Sequence, residues 1–428
     1  MAVLARAASR SWSELAGRAL VRALLVGLVG ATLLIAPASP RRDVPTGLAE
    51  TTRRQAFSVV GWEIAALSGK AVGEARPVER DPQRRVEIVK EHFRNAAEIR
   101  RLRGELDRLF ARGRGADGAR LAEVERELAE REGTFDRSHG RVEAIVAEQI
   151  DAVLREEQLK HDLVSFVAGG GWPVPFLRVD PDVFFVYQRL PLDLVVAPRD
   201  RIGIVGTVLV SPDLTTTEIE TLEDRVDAIG VSSLVSGIGG FGSYPSMIPD
   251  AESLRRGLDV IAHEWVHHYL AFRPLGRAYF ASYEMRSVNE TVADVVGQEV
   301  GARTFERFYR ASEPAPATGE TRPAAPTTGR RDFGAEMRRI RREVERLLAE
   351  GDVPSAERYM AEQRQELARL GWQVRKLNTA YLSFFGAYSG GANRFESPLR
   401  ALRDRSDSLV GFLRTVERFE RPEDAVRG

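Results

Sequence analysis

The chain contains no cysteine among its 428 residues. Disulfide bonds, thiolate metal ligands and a cysteine nucleophile are therefore excluded. Neither sign of charge predominates, because 62 basic residues balance 62 acidic ones. Such a chain has no electrostatic basis for binding nucleic acid, so we expect no nucleic-acid partner. Histidine is also scarce, with six in the whole chain, and this scarcity makes the histidine positions informative.

Three of the six histidines fall in one apolar segment, residues 260–270, which predicts a helix. His263 and His267 are four residues apart, so a helix places both imidazoles on one face. This H-E-x-x-H spacing is typical of a zinc site, in which Glu264 acts as general base toward water. His268 projects from another face and is not a candidate ligand. A solvated or core pair of histidines without a metal is the alternative.

A second predicted helix, over residues 287–297, carries further polar side chains. Asn289 and Glu290 are followed by Asp294 one helical turn later. A capping box, with Ser287 as N-cap and Glu290 three residues on, is one interpretation. That interpretation explains Glu290 but gives Asp294 no role.

The two helices together resemble the H-E-x-x-H and N-E-x-x-x-D motifs of the gluzincins, the thermolysin-like zinc metallopeptidases. A metzincin extension is excluded, because Leu270 and Arg273 stand where it needs glycine and histidine. The resemblance implies that one Zn²⁺ is bound by the two histidines of the first motif and by Glu290. It also implies that Asp294 hydrogen-bonds the far nitrogen of a ligand histidine.

The chemistry that this resemblance implies is hydrolysis of a peptide or protein substrate. Glu264 takes a proton from a water at the open zinc position and later returns it to the leaving amine. Such enzymes also stabilise the oxyanion with a side chain beyond the third ligand. Tyr381 and Tyr388 are candidates, and a tyrosine packed in the core is the alternative for each. Two other functions stay open: a non-catalytic envelope scaffold with a structural zinc site, and a zinc hydrolase of a non-peptide amide.

Residues 1–43 predict export. Basic residues precede an uncharged run from Ala23 to Ala36, and Ala36-x-Ala38 resembles a signal-peptide cleavage site. We expect a secretory signal or, if the segment is not cleaved, a transmembrane helix that anchors the protein in the membrane. A buried N-terminal core helix is the alternative. The body is then extracytoplasmic, secreted or membrane-anchored, in a bacterial cell envelope.

The pattern along the chain predicts an α+β fold. Residues 44–168 predict a helical region with a long charged hairpin that packs on the body, with binding of a protein partner as the alternative. Residues 169–311 predict a zincin-like core with a small sheet, including three strands between 183 and 210, and two metal-bearing helices. Residues 312–331, rich in Pro, Ala and Thr, predict a disordered insertion, and residues 332–428 a C-terminal helical part of the catalytic domain.

A glycine-rich segment, residues 236–245, directly precedes the first metal-bearing helix. In zincin-type enzymes this segment is an edge strand whose unpaired backbone groups bind an extended substrate. The candidates for substrate binding are Gly239, Gly240, Phe241 and Gly242. A flexible loop is the alternative.

Overall fold

The computed structural model describes residues 46–73, 79–111, 118–160, 180–238, 243–250, 252–271, 273–279, 281–312, 332–372, 374–389 and 394–427. Within these residues helices predominate and the strands form two small sheets, an architecture compatible with the α+β class. The helices are α1 (Leu48–Thr52), α2 (Val59–Gly73), α3 (Pro82–Ala111), α4 (Gly118–Glu156), α5 (Thr216–Asp227), α6 (Leu254–Leu270), α7 (Pro274–Arg277), α8 (Tyr283–Phe308), α9 (Phe333–Ala349), α10 (Val353–Arg369), α11 (Thr379–Ser389), α12 (Glu396–Arg405), α13 (Leu409–Val416) and α14 (Asp424–Arg427). The strands are β1 (Phe185–Gln188), β2 (Leu192–Pro198), β3 (Gly206–Val210), β4 (Val231–Gly237) and β5 (Ser246–Pro249).

The expectation of a transmembrane helix needs correction. In the part of the chain that the structure describes, no helix combines the length and the apolar character needed to cross a membrane. The longest described helices are those of the hairpin. Residues 1–43, on which the expectation rested, lie outside the described residues, as do 313–331 of the predicted insertion.

The predicted helical hairpin is confirmed as α3 and α4. Apolar residues at helical spacing, such as Val89 on α3 and Val142 on α4, are fully buried between the helices and the body. Polar contacts also join the hairpin to the body: the Glu143 carboxylate accepts a hydrogen bond from Tyr187 N at 2.8 Å. The hairpin therefore packs on its own chain.

Strands β2, β3 and β4 form an antiparallel sheet in the order β3-β2-β4, and β1 pairs with β5 in parallel. The three strands predicted between residues 183 and 210 are confirmed as β1, β2 and β3. Alternate β2 residues face opposite sides, so Leu194 packs with α5 whereas Val195 packs with α11. Strand β4 ends at Gly237. Residues 239–242, at the centre of the glycine-rich segment, lie outside the described residues, so the edge strand expected there stays a prediction, with a loop as its alternative.

Two serine caps set the start of the helices that carry the H-E-x-x-H and N-E-x-x-x-D motifs. The Ser253 side chain accepts a hydrogen bond from Arg256 N and begins α6. Ser282 accepts one from Met285 N and begins α8. Glu290 therefore lies two turns inside α8, and the capping-box interpretation of this residue is wrong.

Candidate metal centre

Helix α6 presents His263 and His267 on one face, as the four-residue spacing predicts. Their Nε2 atoms lie 3.0 Å apart, and each side chain is 18% exposed. His268 faces the other way, where its Nε2 lies 2.8 Å from the Ser243 carbonyl oxygen and donates a hydrogen bond to it. The α6 helix thus offers two nitrogen ligands and not three.

Glu290 of α8 completes a triangle of ligand atoms. Its Oε2 lies 3.4 Å from Nε2 of His263 and 3.6 Å from Nε2 of His267. Tetrahedral zinc with bonds of about 2.0–2.1 Å separates its ligand atoms by about 3.3–3.4 Å. The three atoms are therefore spaced as the ligands of one zinc ion, and these side chains fit that metal. Among the described residues, no other group of three His, Cys, Asp or Glu side chains comes this close together.

Each histidine has a second partner on α8 that holds its ring. Asp294 Oδ1 lies 3.0 Å from Nδ1 of His263, the position that the resemblance to the gluzincins implies for it. Asn289 Oδ1 lies 2.9 Å from Nδ1 of His267, a contact that the motif alone did not predict. An Nδ1–H that donates to these oxygens leaves Nε2 as the free ligand atom on both rings. The asparagine that precedes Glu290 in the N-E-x-x-x-D motif was the feature of the sequence from which this contact could have been inferred.

Tyr279, in the connection between α7 and α8, contacts Glu290 and was also missed from the sequence. Its hydroxyl donates to Glu290 Oε1 at 2.6 Å, and its ring centroid lies 6.1 Å from that of His267. Burial, with the nearby Glu290 charge, raises the pKa of Tyr279 above its usual value, so the hydroxyl keeps its proton. Only the proximity of a tyrosine to the motif could have drawn attention to it.

The charges of the cluster favour a cation at the point where the ligand atoms meet. Burial lowers the pKa of His263, but hydrogen bonds to Asp294 and Glu290 outweigh it and raise the pKa to about 10. Burial acts to raise the pKa of Glu290, but its contacts with the two histidines hold it well below the usual range. A divalent ion can take the place of the proton that this arrangement holds.

Glu264 lies beside this cluster with an unpaired oxygen. The side chain is 5% exposed, and its buried Oε2 has no hydrogen-bond partner among the described residues. Burial raises the pKa of Glu264, and the charges of His267 and His263 oppose this rise. Leaving a buried polar atom unpaired costs about 1–3 kcal/mol, so its position is not explained by the stability of the fold.

Of the remaining candidate site residues, the structure describes the side chain of Tyr381 alone, and it does not bring this side chain to the cluster. Tyr381 packs against β2 and β4 with Phe385, whose ring centroid is 4.6 Å away, and none of its described contacts is with the histidines or Glu290. Tyr388 lies in α11, but its side chain is outside the described part of the structure, as are residues 239–242. Their predicted roles stay predictions.

Side chains close the free edge of β4 ahead of the glycine-rich segment. Val235 N donates to Glu223 Oε1 at 2.6 Å, and Val235 O accepts from the Arg375 guanidinium at 3.1 Å. The backbone N–H and C=O groups of Ser233 are likewise bonded to side chains, from α5 and from the segment before α11. An extended peptide therefore finds no free backbone groups at these two residues.

Comparison of the chain with protein-family models, curated proteins and solved structures gives no match.

Proposed function

We propose that this protein is a zinc-dependent hydrolase that cleaves peptide bonds, with a zincin-like core and a gluzincin type of metal centre. The observation that carries the proposal is the triangle of His263 Nε2, His267 Nε2 and Glu290 Oε2, with sides of 3.0, 3.4 and 3.6 Å. Asp294 and Asn289, which contact Nδ1 of His263 and His267, support the proposal further, because these contacts orient the two Nε2 atoms toward one point.

Different residues of the site would bind the metal and transfer the proton. His263, His267 and Glu290 would hold the ion, and three protein ligands leave a position open, as in catalytic zinc sites. When bound, zinc supplies a Lewis acid that polarises a carbonyl and acidifies water. The unpaired carboxyl oxygen of Glu264 is available to accept a proton from the attacking water and to give it to the leaving amine.

The decisive experiment replaces Glu264 by glutamine. The change keeps the shape of the side chain and removes its basicity, so zinc content and folding should stay near the wild-type level. Hydrolysis of a mixed peptide library should fall by about 10²–10⁴, the usual contribution of general acid–base catalysis. Glu143→Gln is the matched control, because Glu143 is a buried glutamate of the hairpin, 2% exposed, and its variant should retain activity.

The outcomes separate this proposal from its rivals. Zinc-loaded wild-type protein that cleaves no peptide in an unbiased library contradicts the peptidase proposal. If the same protein hydrolyses non-peptide amides in a Glu264-dependent manner, it is a zinc hydrolase of non-peptide amides and not a peptidase. If neither substrate is cleaved and zinc removal only lowers the melting temperature, the site is structural.

A further inference from the structure

The turn between the two metal-bearing helices fixes the position of Tyr279. Gly276, in α7, packs so closely on the end of α6 that a Cβ there would lie 1.9 Å from the Leu270 carbonyl oxygen. Tyr279 N then donates to Gly276 O at 3.1 Å. On the other side, the Arg286 guanidinium carbon lies 5.5 Å from the Tyr279 ring centroid. The tyrosine is thus held by the fold before any ligand binds.

The two carboxylate oxygens of Glu290 have different surroundings as a result. Oε2 faces the two histidines, at 3.4 and 3.6 Å from their Nε2 atoms. Oε1 accepts the hydrogen bond from the Tyr279 hydroxyl at 2.6 Å. This short bond to a charged acceptor belongs to the stronger class of hydrogen bonds. A carboxylate held in this way presents one oxygen to the histidines and keeps the other occupied.

We propose that Tyr279 is a positioning residue that makes Glu290 bind metal through Oε2 alone. The inference rests on the metal centre of the proposed function. A carboxylate free to use both oxygens would fill an additional coordination position, and a catalytic zinc site needs an open position for water or substrate. The hydroxyl of Tyr279 therefore preserves the open position without touching the metal.

The experiment compares Tyr279→Phe with Tyr269→Phe, both loaded with Co²⁺ in place of zinc. Tyr269 is the matched control because it lies on α6 and its hydroxyl also donates to a carboxylate at 2.6 Å, that of Glu417, away from the centre. Four-coordinate Co²⁺ absorbs visible light more strongly than five- or six-coordinate Co²⁺. We expect weaker absorption for Tyr279→Phe and the wild-type spectrum for Tyr269→Phe. In the zinc forms, the activity of Tyr279→Phe should fall about 10–100-fold, as is typical when an outer partner is lost.

Three results would overturn the proposal. The first is an unchanged Co²⁺ spectrum in Tyr279→Phe, and the second is the same spectral change in Tyr269→Phe. The third is a loss of metal affinity far beyond about 100-fold, since Tyr279 would then be needed to form the site rather than to select one oxygen. Because the spectrum requires no substrate, a wild-type protein that binds metal but cleaves no peptide refutes the proposed function and leaves this test intact. A wild-type protein that binds neither ion refutes both.

Discussion

The two helix pairs of this protein are held together in different ways. Between α6 and α8 the backbones touch: a Cβ added to Gly297 would lie 2.9 Å from both Asp259 O and His263 N. One turn further along α8, a Cβ at Gly301 would lie 2.2 Å from Asp259 Oδ1. In the hairpin of α3 and α4, the contact is made by buried aliphatic side chains such as Val89 and Val142.

This difference matches what the proposed metal centre would require of α6 and α8. Metal–ligand distances tolerate deviations of about ±0.2 Å, and direct backbone contact sets the separation of two helices more tightly than side chains, which can change rotamer. The hairpin buries apolar side chains, and many combinations of side chains can fill such a core. The closeness of α6 and α8 is therefore a condition for the triangle formed by His263, His267 and Glu290.

The largest effect should come from Gly297→Ala, which pushes α6 away from α8 beside His263. The neighbours at 2.9 Å are backbone atoms that cannot rotate away, so we expect destabilisation of about 3 kcal/mol, the upper end for overpacking. Zinc affinity should fall as well, because Glu290 moves relative to the histidines. Chemical denaturation and zinc titration measure the two effects. Val296→Ala, which opens a cavity at a fully buried α8 position, is the control, and an equal loss of zinc affinity there would contradict the comparison.

Asp294→Ala should weaken zinc binding by about 10–100-fold and leave the fold nearly unchanged. The carboxylate contacts Nδ1 of His263 at 3.0 Å and its side chain is 51% exposed, so its loss removes the partner that orients the ring without opening the core. Competition with a chromophoric chelator measures the affinity. Unchanged affinity would show that contact with Asp294 does not orient His263 for metal.

In the hairpin, His92 should make the fold sensitive to acid. Burial lowers the pKa of His92 to about 4, although the Glu143 charge opposes this, and its Nδ1 lies 2.9 Å from Ser138 Oγ. Between pH 6.5 and about 4 the unfolded chain binds a proton that the folded chain does not, so stability falls as the pH falls through this window. His92→Gln should remove about 2 kcal/mol of the stability difference between pH 7.5 and pH 5.

Denaturant titrations of both proteins at the two pH values measure this difference. His139 and Glu143, whose charges act on His92, are present in both proteins. An identical pH dependence in wild type and His92→Gln would show that His92 is not kept neutral by its burial.

The smallest effect should be a small gain in stability, from Gly140→Ala in the hairpin. Gly140→Ala places a methyl group where nothing lies within 4 Å, in the interior of α4. Alanine stabilises a helix interior relative to glycine by about 0.5–1 kcal/mol, so thermal unfolding should shift upward. A loss of stability would mean that the hairpin backbone is as constrained at this position as the backbone of α8 is at Gly297.

Local patterns in the sequence were sufficient for much of the fold. The helical period predicted both hairpin helices, and apolar β-branched runs predicted β1, β2 and β3, because these patterns depend on neighbours a few residues apart. The same holds for His263 and His267, whose four-residue spacing puts them on one face of any helix. The glycine-rich residues 236–245 left both a strand and a loop open, because glycine has no side chain whose alternation can be interpreted.

Only the tertiary structure decided the contacts between the helices. The distance from Glu290 to the histidines, the bond from Asn289 to His267 and the bond from Tyr279 to Glu290 all depend on how α6, the α7 turn and α8 pack. The closure of the β4 edge at Val235 likewise depends on side chains that are distant in sequence. The sequence by itself determined which donors lie on each helix, since helix geometry is local. How near they come to one another was decided by tertiary packing, because backbone contact at Gly297 sets the distance between α6 and α8.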